Sequence, residues 1–184
     1  METTIKQKEF PFITNKESFE YYLAKAAEKY KTERGMRAYL QKYNDEVRAK
    51  YEQPAVVRLW VSITWHRSRM WGNCPTAEYR VTFADGHREH GDGVSASGYG
   101  YDKESTVIAY IFQKFCLGMA NRKYKRNKKQ ELPYGVAKSW NTLYFMGGVG
   151  ESCYREIAEW LGGKCEHTGC GKTYDEYVYT FKAK

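Results

Sequence analysis

Val57-Arg58-Leu59-Trp60-Val61-Ser62-Ile63-Thr64-Trp65-His66 puts Val57, Leu59, Val61, Ile63 and Trp65 on one side of an extended chain. Arg58, Ser62, Thr64 and His66 fall on the other side. This two-residue period is that of a strand with one buried face. A second strand follows, in which Ala77, Tyr79, Val81 and Phe83 alternate with Glu78, Arg80, Thr82 and Ala84. Asp85-Gly86 then reads as a tight hairpin turn. Residues 87–97, polar and glycine-rich, read as a short edge strand. Residues 67–75 are expected to be a loop carrying Arg67, Arg69 and Trp71.

On the N-terminal side, residues 1–13 read as a mobile arm. Residues 14–53 form a helical element. Thr14 or Asn15 caps it, with Thr14-Asn15-Lys16-Glu17 fitting a capping box. Phe19, Tyr22, Leu23, Ala26 and Tyr30 recur at helical spacing, and the spacing resumes after Gly35 with Met36, Tyr39, Leu40, Tyr43, Val47 and Tyr51. Gln53-Pro54 ends it. The pattern fits a helical hairpin bent near Gly35 or one long kinked helix.

On the C-terminal side, Asp102 is a plausible N-cap for a helix that buries Val107, Ile108, Ile111, Phe112, Phe115 and Met119. Residues 143–146 fit a short strand. Gly147-Gly148-Val149-Gly150 turns the chain into a helix with Tyr154, Ile157, Ala158 and Leu161 inward, closed by Gly162-Gly163. A hairpin over 164–167 and 174–181 ends the chain. The strands cluster and crossovers are few. The expected fold is therefore α+β: a mainly antiparallel sheet with packed helices over 54–184, and the helical N-terminal element as a separate layer.

At 184 residues this is one domain with an appended element. A chain of that size buries about 70% of its unfolded surface, enough for a core without staples. No apolar leader segment begins it, and no run approaches the roughly 20 apolar residues of a membrane span. A soluble protein of the bacterial cytoplasm is expected. The cysteine count is odd (Cys74, Cys116, Cys153, Cys165, Cys170), which in a reducing compartment implies free thiols.

The net charge of +8 is concentrated in one place. Residues 122–129 read Arg-Lys-Tyr-Lys-Arg-Asn-Lys-Lys, between an amphipathic helix and Leu132-Pro133-Tyr134-Gly135, so a solvated loop is expected there. Arg122, Lys123, Lys125, Arg126, Lys128 and Lys129 are the candidate phosphate-binding cations. Tyr124 among them, and Trp71 with Arg67 and Arg69, are candidates for stacking on bases. No base-reading motif is present.

Other motifs are incomplete. Gly171-Lys172-Thr173 lacks the earlier glycine and the following helix of a phosphate loop. Gly147-Gly148-Val149-Gly150 lacks the βαβ context of a dinucleotide site. Cys165-Glu-His-Thr-Gly-Cys170 offers two thiolates and an imidazole but no second pair for tetrahedral zinc. His87, His90 and Asp92 sit on a strand, where side chains three apart diverge. No cofactor is expected.

Ser95-Ala-Ser-Gly-Tyr-Gly-Tyr-Asp-Lys-Glu-Ser-Thr holds a compressed strand-to-helix corner in which Tyr99 and Tyr101 can present their rings. This stretch resembles segments of small proteins of bacterial phages and mobile elements. Such genes often encode host-defence antagonists, including anti-CRISPR inhibitors of RNA-guided nucleases. The resemblance implies a non-catalytic binding protein whose partner is nucleic acid or a nucleoprotein such as a Cas9-type nuclease with its guide RNA. A chain at +8 cannot imitate DNA, so it would meet the guide RNA, the DNA or acidic parts of the nuclease. Two alternatives are a plain DNA- or RNA-binding accessory protein and a small metal-dependent enzyme using His87/His90 or Cys165/Cys170.

Overall fold

A computed structural model describes residues 4–70, 72–97 and 103–182. Trp71, Tyr99, Tyr101 and the expected cap Asp102 lie outside the described residues.

The fold is α+β. Five antiparallel strands form one sheet in the order β3-β2-β1-β7-β6, built from β1 (Val56–Ser68), β2 (Gly72–Phe83), β3 (Arg88–Ser95), β6 (Gly163–Cys170) and β7 (Tyr174–Phe181). Leu59, Val61 and Ile63 of β1 face inward with Ala77, Tyr79, Val81 and Phe83 of β2, as the alternation requires. At the start of β1 a register shift between Val56 and Arg58 makes Val57 the extra residue, so Val56 rather than Val57 enters the core. Further irregularities interrupt the β2–β3 ladder between Ala77 and Tyr79 and the β6–β7 ladder between His167 and Gly169.

The expected loop over 67–75 is mostly sheet. Pairing continues through Arg67 opposite Asn73 and Ser68 opposite Gly72, where Gly72 adopts φ +68° and lets the chain reverse.

One face of the sheet is covered by α3 (Lys103–Phe115) and α5 (Ser152–Trp160). Phe112, fully buried, sits at the centre. Its ring meets those of Phe145, Tyr154 and Tyr179 edge-on, at centroid distances of 5.6, 5.0 and 4.9 Å. These are favourable edge-to-face arrangements. The Tyr154 hydroxyl donates to the Met146 carbonyl at 2.7 Å, so its polar end is satisfied. A small hairpin of β4 (Val136–Lys138) and β5 (Leu143–Phe145) closes the side of this core.

The expected single helix after residue 102 is two. α3 ends at Phe115 and α4 (Leu117–Arg126) begins beyond Cys116. Half of the basic run is thus helical rather than a solvated loop. Leu117, Met119 and Ala120, followed by lysines and arginines, are good helix formers with no breaker among them. Cations in the last turn also suit the negative end of the helix dipole.

The N-terminal element is a hairpin of α1 (Lys16–Lys29) and α2 (Glu33–Glu52). Asn15 caps α1 by accepting from the Ser18 amide at 2.7 Å, and Thr32 caps α2 by accepting from the Gly35 amide at 3.2 Å. The break falls at residues 30–32, before Gly35. At Gly35 a Cβ would stand 2.9 Å from the Tyr30 ring, so glycine there makes room for that ring. Residues 4–13, expected as a mobile arm, belong to this layer. Ile5, Phe10 and Ile13 are buried with Phe19, Ala26, Met36 and Leu40 in a second core. Glu9 pairs with Arg37, and the Thr4 hydroxyl donates to Glu33 at 2.8 Å.

Candidate functional site

The six cations of 122–129 do different things. Arg122 Nη1 donates to the carbonyls of Tyr51 and Gln53, the latter at 2.7 Å. These belong to the last turn of α2 and its C-cap, whose carbonyls lack helical partners. Gln53 completes the junction, accepting from the Gly118 amide at 2.8 Å and donating to the Lys114 carbonyl at 3.1 Å. Burial, and next the neighbouring Arg126, lower the Arg122 pKa. Arg122 is therefore a clasp between α2 and α4, a correction to its placement among the binding cations. Arg122→Ala is expected to cost about 1–3 kcal/mol of stability through the two carbonyls left without a charged donor. Its measure is a drop in urea midpoint with the salt dependence of ligand binding unchanged.

Lys123 turns the other way, its Nζ 5.7 Å from the Trp160 ring of α5. Its carbonyl accepts from Gln130 Nε2 at 3.1 Å, and Gln130 Oε1 in turn accepts from Trp160 Nε1 at 3.1 Å. Lys125, Arg126, Lys128 and Lys129 are exposed. Among the described residues no carboxylate forms an ion pair with any cation of the run. Their charge is not neutralised from within.

Lys125 and Lys128 border a cleft of about 260 Å³. Four segments meet there. Phe12 comes from the N-terminal stretch, Tyr51 from the end of α2, Tyr124 from α4, and Lys138 and Trp140 from the β4–β5 turn. Phe12 and Tyr51 lie 5.8 Å apart and tilted by 53°. Lys125 Nζ is 5.9 Å from each of these rings, and Lys138 Nζ is 5.9 Å from the Tyr124 ring. Each ammonium thus stands over an aromatic face, an arrangement that is itself attractive. Burial, and next the Tyr124 phenol, raise the Tyr51 pKa, so its ring stays a neutral phenol at physiological pH.

The cleft's wall is held by Asn141, which is 6% exposed. Its Oδ1 accepts from the Asn15 amide at 2.9 Å, and its Nδ2 donates to Ser18 Oγ at 2.8 Å and Tyr43 Oη at 3.3 Å. Its carbonyl accepts from Tyr51 Oη at 2.9 Å. On the other side, the Phe12 amide donates to the buried Asn44 at 2.9 Å. Every segment of the cleft is therefore tied to the helical hairpin.

Arg67 and Arg69 do not join this site. Val56, where β1 begins, donates to Met119 of α4, whereas Arg67 is eleven residues further along the strand. At about 3.3 Å per residue that is roughly 35 Å away. Trp71, Tyr99 and Tyr101 are outside the described residues.

The alternative chemical groupings are structural where they are described. His87 stacks on Phe83 at 5.6 Å, while His90 lies opposite Arg80 in the β2–β3 ladder. The ladder irregularity in β6 sets Cys165, His167 and Cys170 opposite Tyr179, Tyr177 and Asp175, on one face. His167 is engaged there by Asp175 at 3.2 Å and stacks on Tyr177 at 4.7 Å. Among the described residues no three histidine, cysteine or acidic groups are placed to hold a metal. Residues 171–173 join β6 to β7 with no helix following. Gly147 packs on Thr106, where a Cβ would come within 2.7 Å.

No protein-family model, curated protein or solved structure matches this chain. Among the described residues no helix is long and apolar enough to cross a membrane.

Proposed function

We propose that this chain is a non-catalytic binding protein whose ligand is a nucleic acid, either free or held in a nucleoprotein. The observation that carries this reading is the exposed set Lys125, Arg126, Lys128 and Lys129. It has no acidic partner and stands beside a cleft walled by aromatic rings. Unpaired cations attract phosphates through counterion release, and aromatic rings add contacts to bases. The net charge of +8 favours the same class of ligand.

The finer reading rests on the resemblance of residues 95–106 to proteins of phages and mobile elements. In that reading the protein inhibits a Cas9-type RNA-guided nuclease by occlusion, and its cations meet the guide RNA or target DNA. The test is a titration between 50 and 200 mM salt, on naked nucleic acid and on an assembled nuclease with its guide. With Lys138 added to the four exposed cations, log K is expected to fall against log salt with a slope of about −4. Tighter binding to the assembled nuclease supports inhibition, and equal binding supports a plain accessory protein. A flat salt response on both ligands would sink the proposal.

A further inference from the structure

We infer that the cleft between α4 and the β4–β5 turn takes the base of an unpaired nucleotide, so that the ligand is a single strand rather than a duplex. This deepens the nucleic-acid reading above and rests on it. Three observations lead there.

The first is size. A space of about 260 Å³ falls just below the roughly 300 Å³ at which pockets for drug-sized ligands begin, which suits one planar ring with its sugar. The second is the lining. Phe12, Tyr51 and Tyr124 supply ring faces, and Lys125 and Lys138 stand at their edges. A base on a ring face places its phosphate within reach of an ammonium. A duplex hides its base faces in its own stack and cannot use such a wall, whereas a single strand offers them freely.

The third is continuity. A second, more open hollow of about 400 Å³ shares Asn15, Lys138, Ser139 and Trp140 with the cleft and adds Tyr144. Trp140 and Tyr144 are each 42% exposed, and Trp140 is braced by Tyr21 at 5.1 Å. The cleft therefore has a way through past Trp140, as a strand needs and a lone nucleotide does not. Lys128 and Lys129 lie just beyond α4, at the other approach.

The experiment measures fluorescence anisotropy of the full chain with four labelled or competing probes. These are a roughly 12-nucleotide oligothymidine, within the 4–16 nucleotide range of single-strand sites, an equally long abasic backbone, a duplex, and free thymidine monophosphate. The oligothymidine is expected to bind about 5- to 100-fold more tightly than the abasic strand, the range that stacking of a base on aromatic rings supplies. Trp140→Ala should narrow that gap and Trp140→Phe should restore it. Lys125→Glu with Lys138→Glu should weaken oligothymidine binding at least tenfold, with the thermal unfolding transition unchanged.

Equal affinity for oligothymidine, abasic strand and duplex would overturn the base-stacking site while leaving the nucleic-acid reading in place. No affinity for any of the polymers would overturn both. Monophosphate binding as tight as the 12-mer would reassign the cleft to a free nucleotide. Base-dependent binding untouched by every cleft variant would move the site elsewhere.

Discussion

Serine at Lys125, Arg126, Lys128 and Lys129 together is expected to reduce affinity for nucleic acid roughly a thousand-fold at 0.15 M salt. The figure follows from about −0.9 in slope per phosphate contact, taking 1 M as the salt at which the electrostatic contribution vanishes. The salt slope itself should fall from about −4 to about −1, the residue being the Lys138 contact. The four side chains are exposed and form no ion pair, so their loss removes no contact that holds the fold. Exposed charge changes away from structural contacts alter stability by about 0.5 kcal/mol or less. A gel shift or anisotropy titration measures the first effect and circular dichroism the second. Retained affinity in a properly folded variant would show that the run is only a solvated surface. Arg122 is left out of this variant because its loss would confuse unfolding with weakened binding.

Phe112→Ala is expected to cost about 3–5 kcal/mol, the range for removing a large buried ring and leaving a cavity. Phe112 is fully buried and meets three other rings edge-on, so no neighbour collapses easily into the space. Domains are stable by about 5–15 kcal/mol, so this one change removes a third or more of a typical reserve. Urea denaturation gives the number directly. A loss below about 1 kcal/mol would mean that the core repacks and that the ring cluster is not its centre. A hydrophobic swap of similar volume, Phe112→Leu, should recover part of the loss.

The sheet is readable because β1 and β2 alternate cleanly, and a two-residue period is the mark of a half-buried strand. Val57 is misplaced by one position because a bulge leaves no trace in an alternating run. The inward stripe of α3 is equally clear. α4 is hidden by its own charge. Lysine and arginine runs look like loops by polarity, yet they are good helix formers where one side still packs. Ile5, Phe10 and Ile13 follow neither a helical nor a strand period, so nothing in residues 1–13 announces burial.

At the site, the density of charge in 122–129 is legible and its division of labour is not. Arg122 is assigned by two carbonyls about 70 residues earlier in the chain. Phe12, Tyr51, Lys138 and Trp140 escape a sequence reading for the same reason. They meet only through the hairpin's attachment to the β4–β5 turn. The one local hint is a tryptophan in the polar stretch Lys138-Ser139-Trp140-Asn141, where a buried role is not expected.

The ladder irregularities in β3 and β6 matter in crowded solutions. These two strands are the margins of the sheet, and each presents backbone amides and carbonyls that a neighbouring molecule could adopt as its own next strand. Both are poor templates. One is twisted out of line beside Gly91 and Gly93 and carries Arg88, Glu89 and His90, and the other is interrupted at Thr168 and studded with Lys164 and Glu166. A cationic protein that must gather on a polyanion at high local concentration is thereby kept from zipping onto its own copies.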